Sequence, residues 1–251
     1  MEPGKITHCK NCNDPVTGKF CADCGQAITL KRIDKHYIAH EVFHLLHFEK
    51  GFFYTAKALM TRPGDAIREF IQERRSRHMK PVAFLILTSL LFTVVAHFFH
   101  LDEIYRSQEP AMAGHSSVAS IRHWVQTHYG YANIIMGGFI ALFVQLFFRK
   151  YRYNIFEITV LLCFVMGQGM LLLTVENLFT GVLNPQVYNL ILMVVSFSYP
   201  TWAIGQFFDK TKVVSYVKAF FAYVLGYFLF DISMAIAGLT ADQVMKLLPA
   251  H

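Results

Sequence analysis

Four of the five cysteines in this 251-residue chain fall in two pairs of identical spacing, Cys9-x-x-Cys12 and Cys21-x-x-Cys24, with eight residues between them. Each CxxC can turn both thiolates toward one ion. Two such knuckles complete the four-sulfur tetrahedron that structural Zn²⁺ prefers. With sulfur at all four positions no place is left for water, so the expected ion holds structure and does not catalyse. A disulfide or redox pair is the competing reading, and two matched knuckles weigh against it. The fifth cysteine, Cys163, stands alone in an apolar stretch and reads as packing.

Three further groups could do chemistry. His40-Glu41-Val42-Phe43-His44 is formally HExxH, in which two His on one helix face bind a metal and the Glu activates water. His36 and His47 extend the same stripe, which a two-His motif does not require. No third ligand is evident beyond Glu69 or Glu73, so a solvated polar face is the better account. Asp231 lies in an apolar run, where a carboxylate is expensive and is expected to be buried against the bundle. Gln145, Gln168 and Gln206 add polar groups to other apolar runs. Glu157 and Glu176 sit at the ends of one, within reach of water. Gly167 and Gly169 flank Gln168 and would admit a neighbouring helix closely. His97 and His100 are spaced to share a metal but also suit a membrane boundary. No phosphate-binding loop, dinucleotide fingerprint or nucleophile elbow is present.

The elements that carry these residues belong to a membrane. The chain is 54% hydrophobic and only 16% charged, with 24 Phe, against about 25% charged in soluble domains. Apolar runs of spanning length are expected at about 81–101, 131–148, 155–175, 188–208 and 217–239. Pro200 is expected to kink the fourth. The polar N-terminal stretch has no apolar signal core, so no cleaved leader is expected. Fourteen of the 23 Lys and Arg lie in residues 1–80. With the N-terminus inside, twenty fall on inner segments and three outside (Arg106, Arg122 and Lys246). That asymmetry predicts an N-in, C-out topology. It also places the positive charge beside anionic lipid, so no nucleic-acid partner is expected. Between ribbon and first span, residues 31–80 show helical apolar periodicity, broken at Gly51 and at Pro63-Gly64, and read as interfacial helices with Asp65 as an N-cap.

The order of these features resembles a bacterial membrane-protein family of unknown function. The likeness is carried by Cys9, Cys12, Cys21, Cys24, Gly25 and Gln26, then by Thr55, Leu59, Arg62, Pro63, Gly64, Ile67, Arg68, Glu69, Phe70, Arg75 and Pro81. It implies an architecture and a bacterial cytoplasmic-membrane location, and no chemistry. The expected fold is an all-α membrane protein: a five-helix transmembrane bundle (81–251), interfacial amphipathic helices (31–80) and a small cytosolic zinc ribbon (1–30). The leading functional expectation is a non-enzymatic scaffold in which the ribbon recruits a cytosolic protein, with the lipid bilayer as the other partner and an oligomer permitted. The alternatives are a small transporter or lipid-handling protein using Asp231, and a zinc metalloprotease using His40, Glu41 and His44. A wet cavity at Asp231 is what separates transporter from scaffold.

Overall fold

The computed structural model describes residues 7–29, 51–73, 75–99, 117–179 and 184–247. Among them are two short strands, β1 (Thr7–His8) and β2 (Pro15–Val16), and eight α-helices. These are α1 (Phe52–Thr61), α2 (Pro63–Gln72), α3 (Pro81–Phe98), α4 (Ser117–Thr127), α5 (Tyr129–Phe147), α6 (Ile155–Asn177), α7 (Pro185–Asp209) and α8 (Val213–Leu247). Five of them, α3 and α5 to α8, are long and apolar enough to cross a bilayer. The protein is an all-α bundle of membrane type.

Local chemistry explains where these helices begin. Pro63, Pro81 and Pro185 each open a helix at its first turn, where the missing N–H is not needed and φ is already set. Asn154 opens α6 with a reciprocal cap: its side chain accepts the Glu157 N–H at 2.9 Å, and Glu157 Oε2 accepts the Asn154 N–H at 2.9 Å. Glu157 is thus a capping residue and is 5% exposed.

The centre of the bundle is α6. Of its most apolar stretch 61% is buried, against 28–39% for the other four spans. The outward faces of α3, α5, α7 and α8 carry exposed Leu90, Val94, Leu142, Leu146, Met193, Val194, Phe228 and Ile232. A contiguous apolar surface of this size suits lipid and not water. Gly226 of α8 packs on Ile140 of α5, and Gly238 of α8 on Val118 of α4. Helix α4 lies in a stretch whose sequence shows no clear period, and α8 runs well past the expected 217–239. At roughly 1.5 Å per residue its 35 residues span about 52 Å. The extra length packs along α4, whose first N–H is capped by Asp242 Oδ1 at 2.9 Å.

Helices α1 and α2 lie in the part of the 31–80 amphipathic stretch that is described, residues 31–50 being outside the described residues, and protein covers their apolar face. Ala66, Ile67, Phe70 and Ile71 of α2 and Leu59 of α1 are all buried. Phe70 meets Phe164 of α6 edge-on at 5.1 Å, and Phe164, Phe84 and Phe52 continue the ring contacts into α3 and α1. The helical period shows which face is apolar, and packing decides that neighbouring helices occupy it.

Candidate metal centre and membrane cavity

The ribbon builds its knuckle twice. In the first, Asn13 N–H returns to the Cys9 carbonyl at 2.9 Å and Cys9 N–H reaches the Asp14 carbonyl at 2.8 Å. In the second, Gly25 N–H returns to Cys21 at 3.0 Å and Cys21 N–H reaches Gln26 at 2.9 Å. The residue after each pair is left-handed, Asn13 at φ 69° and Gly25 at φ 71°, and these are the types that tolerate it. The first turn therefore lies at Asn13. By sequence Asp14-Pro15 with Gly18 suits the tip of a hairpin; these residues lie beyond this turn, and Pro15 sits in β2.

This repeated turn brings Cys9, Cys12, Cys21 and Cys24 together, with all four sulfurs within 4.8 Å of one another. Cys9 and Cys24 stand 3.6 Å apart and Cys12 and Cys21 3.4 Å apart. A metal at about 2.3 Å from four tetrahedral sulfurs requires edges of about 3.8 Å, so the cluster is near metal-binding size. Burial pushes the Cys24 thiol up, but hydrogen bonds from Asn11, the Gln26 backbone and neighbouring thiols outweigh it and bring it down to about 6. Asp14 and Asp23 also approach Cys12. Both are exposed, and the four sulfurs already close the shell.

Gln26, two residues past the last cysteine, fixes the ribbon to the bundle. Its Nε2 donates to the Glu73 carbonyl at 2.6 Å, and Ser76 Oγ donates to its Oε1 at 3.1 Å. Glu73 caps the C-terminus of α2, where carbonyls lack helical partners. Arg75 satisfies two more, donating to Phe70 and Ile71.

A second joint ties α2 to the end of α7. Gly64 N–H donates to Gln206 Oε1 at 2.9 Å. Arg68 donates to the carbonyls of Gln206 (2.8 Å) and Phe207, and to Asp65. Lys210 Nζ stands 3.4 Å from Asp65 Oδ2. The guanidinium thus supplies donors to the last turn of α7. Asp65 belongs to this ion-pair set. Arg62 is the N-cap residue of α2 and pairs with Glu69. Thr55 Oγ1 accepts the buried Met79 N–H at 2.8 Å, and Tyr199 donates to the Leu59 carbonyl at 3.2 Å.

In the half of the bundle away from the ribbon, a cavity of about 380 Å³ opens among α3 to α8. Its walls are chiefly apolar and aromatic, with Met170, Phe197, Tyr223 and Phe230 among them. Asp231 lines it and is exposed, which corrects the expectation that it would be buried. A carboxylate here is tolerated because it faces a cavity rather than a packed helix. Asn133 also lines the cavity; it is 8% exposed and its Nδ2 has no hydrogen-bond partner among the described residues. The two glycines around Gln168 divide their roles. At Gly167 a Cβ would meet Phe84 at 2.8 Å, so α3 and α6 touch there, whereas Gly169 has open space and borders the cavity.

The other candidate residues are dispersed. Gln145 donates to the Tyr153 carbonyl, and Gln168 reaches Met60 Sδ at 4.0 Å. Glu176 is buried at the far end of α6, His97 is exposed on α3, and Cys163 is buried in the middle of α6. His36, His40, Glu41, His44, His47 and His100 lie outside the described residues.

Residues 49–93 match the model of a protein family of unknown function, DUF3667. The matched stretch contains Thr55, Arg62, Gly64, Arg68, Glu69, Phe70, Arg75 and Pro81; of these Gly64 and Arg68 make the joint to α7, and Arg75 covers carbonyls at the end of α2. It excludes the cysteines. No curated protein and no solved structure matches the chain.

Proposed function

We propose that the protein handles a lipid-like molecule within the membrane, with Zn²⁺ holding the ribbon through Cys9, Cys12, Cys21 and Cys24. The cavity beside Asp231 carries this reading. A pocket of roughly 300–1,000 Å³ with apolar walls and a few polar groups is the usual form of a small-molecule site. A carboxylate placed at membrane depth on such a wall is more often functional than structural. Lipid analysis of protein purified in mild detergent tests it. The wild type is expected to retain about one tightly held lipid per chain, and Gly169→Leu, which fills open space, to lose it. Equal retention by both would sink the reading.

The second reading is a scaffold whose ribbon recruits a cytosolic protein. Its support is the fixed seat of the ribbon at Gln26 and the exposure of Phe20 on it, at 66%. The charge asymmetry supports a cytosolic N-terminus and an external C-terminus, and the family resemblance supports a bacterial cytoplasmic membrane. The metalloprotease reading has only its motif behind it.

A further inference from the structure

We propose that the cavity recognises a phospholipid with an ammonium-bearing zwitterionic headgroup, the ammonium at Asp231 and the phosphate toward Arg122. This rests on the lipid-handling reading and gives it a ligand class.

The first ground is depth. Ile140 meets Gly226, and α5 ends at Tyr129 on the far side. At roughly 1.5 Å per residue this register puts Asp231 about 9 Å below the far end of α5. Since α5 is about as long as the hydrocarbon layer is thick, that is inside the layer, where a carboxylate calls for a cationic or polar partner and a headgroup reaches it only by entering the cavity. The second ground is access. Met193 of α7 and Tyr227 of α8 line the cavity and are also exposed beside lipid-facing Val194 and Phe228. The cavity therefore opens sideways at the seam between α7 and α8. A volume of about 380 Å³ takes a headgroup and the upper part of a chain, while the rest of the tail stays in the bilayer.

The third ground is the chemistry of the wall. Phe197 lies edge-on to Tyr223 at 6.0 Å and to Tyr227 at 5.8 Å. Aromatic faces beside a carboxylate form the environment that attracts an ammonium group. Pro200 lines the same wall inside α7. It has no N–H to give to the carbonyl of Ser196, another lining residue, so that carbonyl is left as an acceptor. Asp231 and the Ser196 carbonyl can each accept from an ammonium. The complementary charge stands on α4: Val125 lines the cavity, and Arg122, three residues before it, lies on the same face of that helix. Asn133 Nδ2 is a buried donor without a partner in the same wall, and an acceptor oxygen on the ligand would relieve its desolvation. A simple cation would leave Arg122 and Asn133 unused, and an anionic lipid would set its charge against Asp231.

Native mass spectrometry of the full chain in detergent, titrated with lipids of matched chains, tests the assignment. The probes are phosphatidylethanolamine, phosphatidylglycerol and diacylglycerol. Phosphatidylethanolamine is expected to bind about tenfold more tightly than either of the others. Asp231→Asn should remove its advantage over phosphatidylglycerol. Arg122→Gln, on an exposed position of a separate helix, should weaken both phospholipids relative to diacylglycerol. Gly169→Leu should block all three. Equal binding of the three probes, abolished by Gly169→Leu, would overturn the headgroup assignment and keep the lipid reading. Binding that Gly169→Leu leaves unchanged, or no binding at all, would overturn both.

Discussion

Gly64 rests directly on the backbone of α7 at Gln206 and Phe207. A Cβ at Gly64 would stand 2.6 Å from the Phe207 nitrogen and closer still to Gln206. The contact is backbone on backbone, so no side chain can rotate away to make room. Gly64→Ala is expected to destabilise the bundle by about 1–3 kcal/mol, the usual range for overpacking. A thermal melt in detergent checks it, and an unchanged midpoint would refute the close approach.

Arg68 works through its fork. One guanidinium serves two carbonyls of α7 and the Asp65 carboxylate. Arg68→Lys keeps the charge and loses the geometry, so a loss of about 1–3 kcal/mol is expected. Acid should act on the same joint. Burial raises the Asp65 carboxyl, but the hydrogen bond and charge of Arg68, with Lys210, outweigh it and hold the group below the usual carboxylate range. A depressed value means that the ionised form is favoured by folding. The contribution is therefore present at neutral pH and is lost as the pH falls through the folded-state value. Acidification should lower the melting midpoint more in the wild type than in Asp65→Asn.

One zinc per chain is expected in the purified protein, and Cys21→Ser should lose it, because three thiolates leave the shell open. Binding requires all four sulfurs as thiolates, so protons compete with the metal. Cys24 is lowered to about 6, so its thiolate is favoured at neutral pH. Zinc should be retained at neutral pH and released on acidification, read by a chromogenic chelator. Full zinc in Cys21→Ser would remove the four-sulfur site.

The proposed N-in, C-out topology rests on charge. Ser120 is exposed on α4, away from the ribbon. In a background without the native cysteines, Ser120→Cys should react with an impermeant thiol reagent applied to intact cells. Reaction only after the cells are opened would reverse the orientation.

Much of this was legible in the sequence, for identifiable reasons. Apolar length alone marks five spans, and matched spacing marks Cys9, Cys12, Cys21 and Cys24, because both signals are local. Long-range pairings were not legible. Gly64 reads as a turn, Arg68 only as a position of the family resemblance and Gln206 as a polar group in a span, since nothing local says that residues some 140 positions apart share one joint. Asp231 reads as buried because the cavity beside it is made by five other helices. The left-handed turn at Asn13 was hidden by the stronger turn signal of Asp14-Pro15.

The seat of Gln26 has a thermodynamic consequence. Its backbone carbonyl accepts from Cys21 inside the metal knuckle, while its side-chain amide covers the Glu73 carbonyl at the end of α2. One residue therefore belongs to the metal site and to the membrane bundle together. Whatever favours the metal-bound ribbon also favours the capped α2, by mass action. With zinc at the four sulfurs as proposed, free zinc becomes a thermodynamic variable of the bundle: raising it should raise the temperature at which helices some distance from any sulfur come apart.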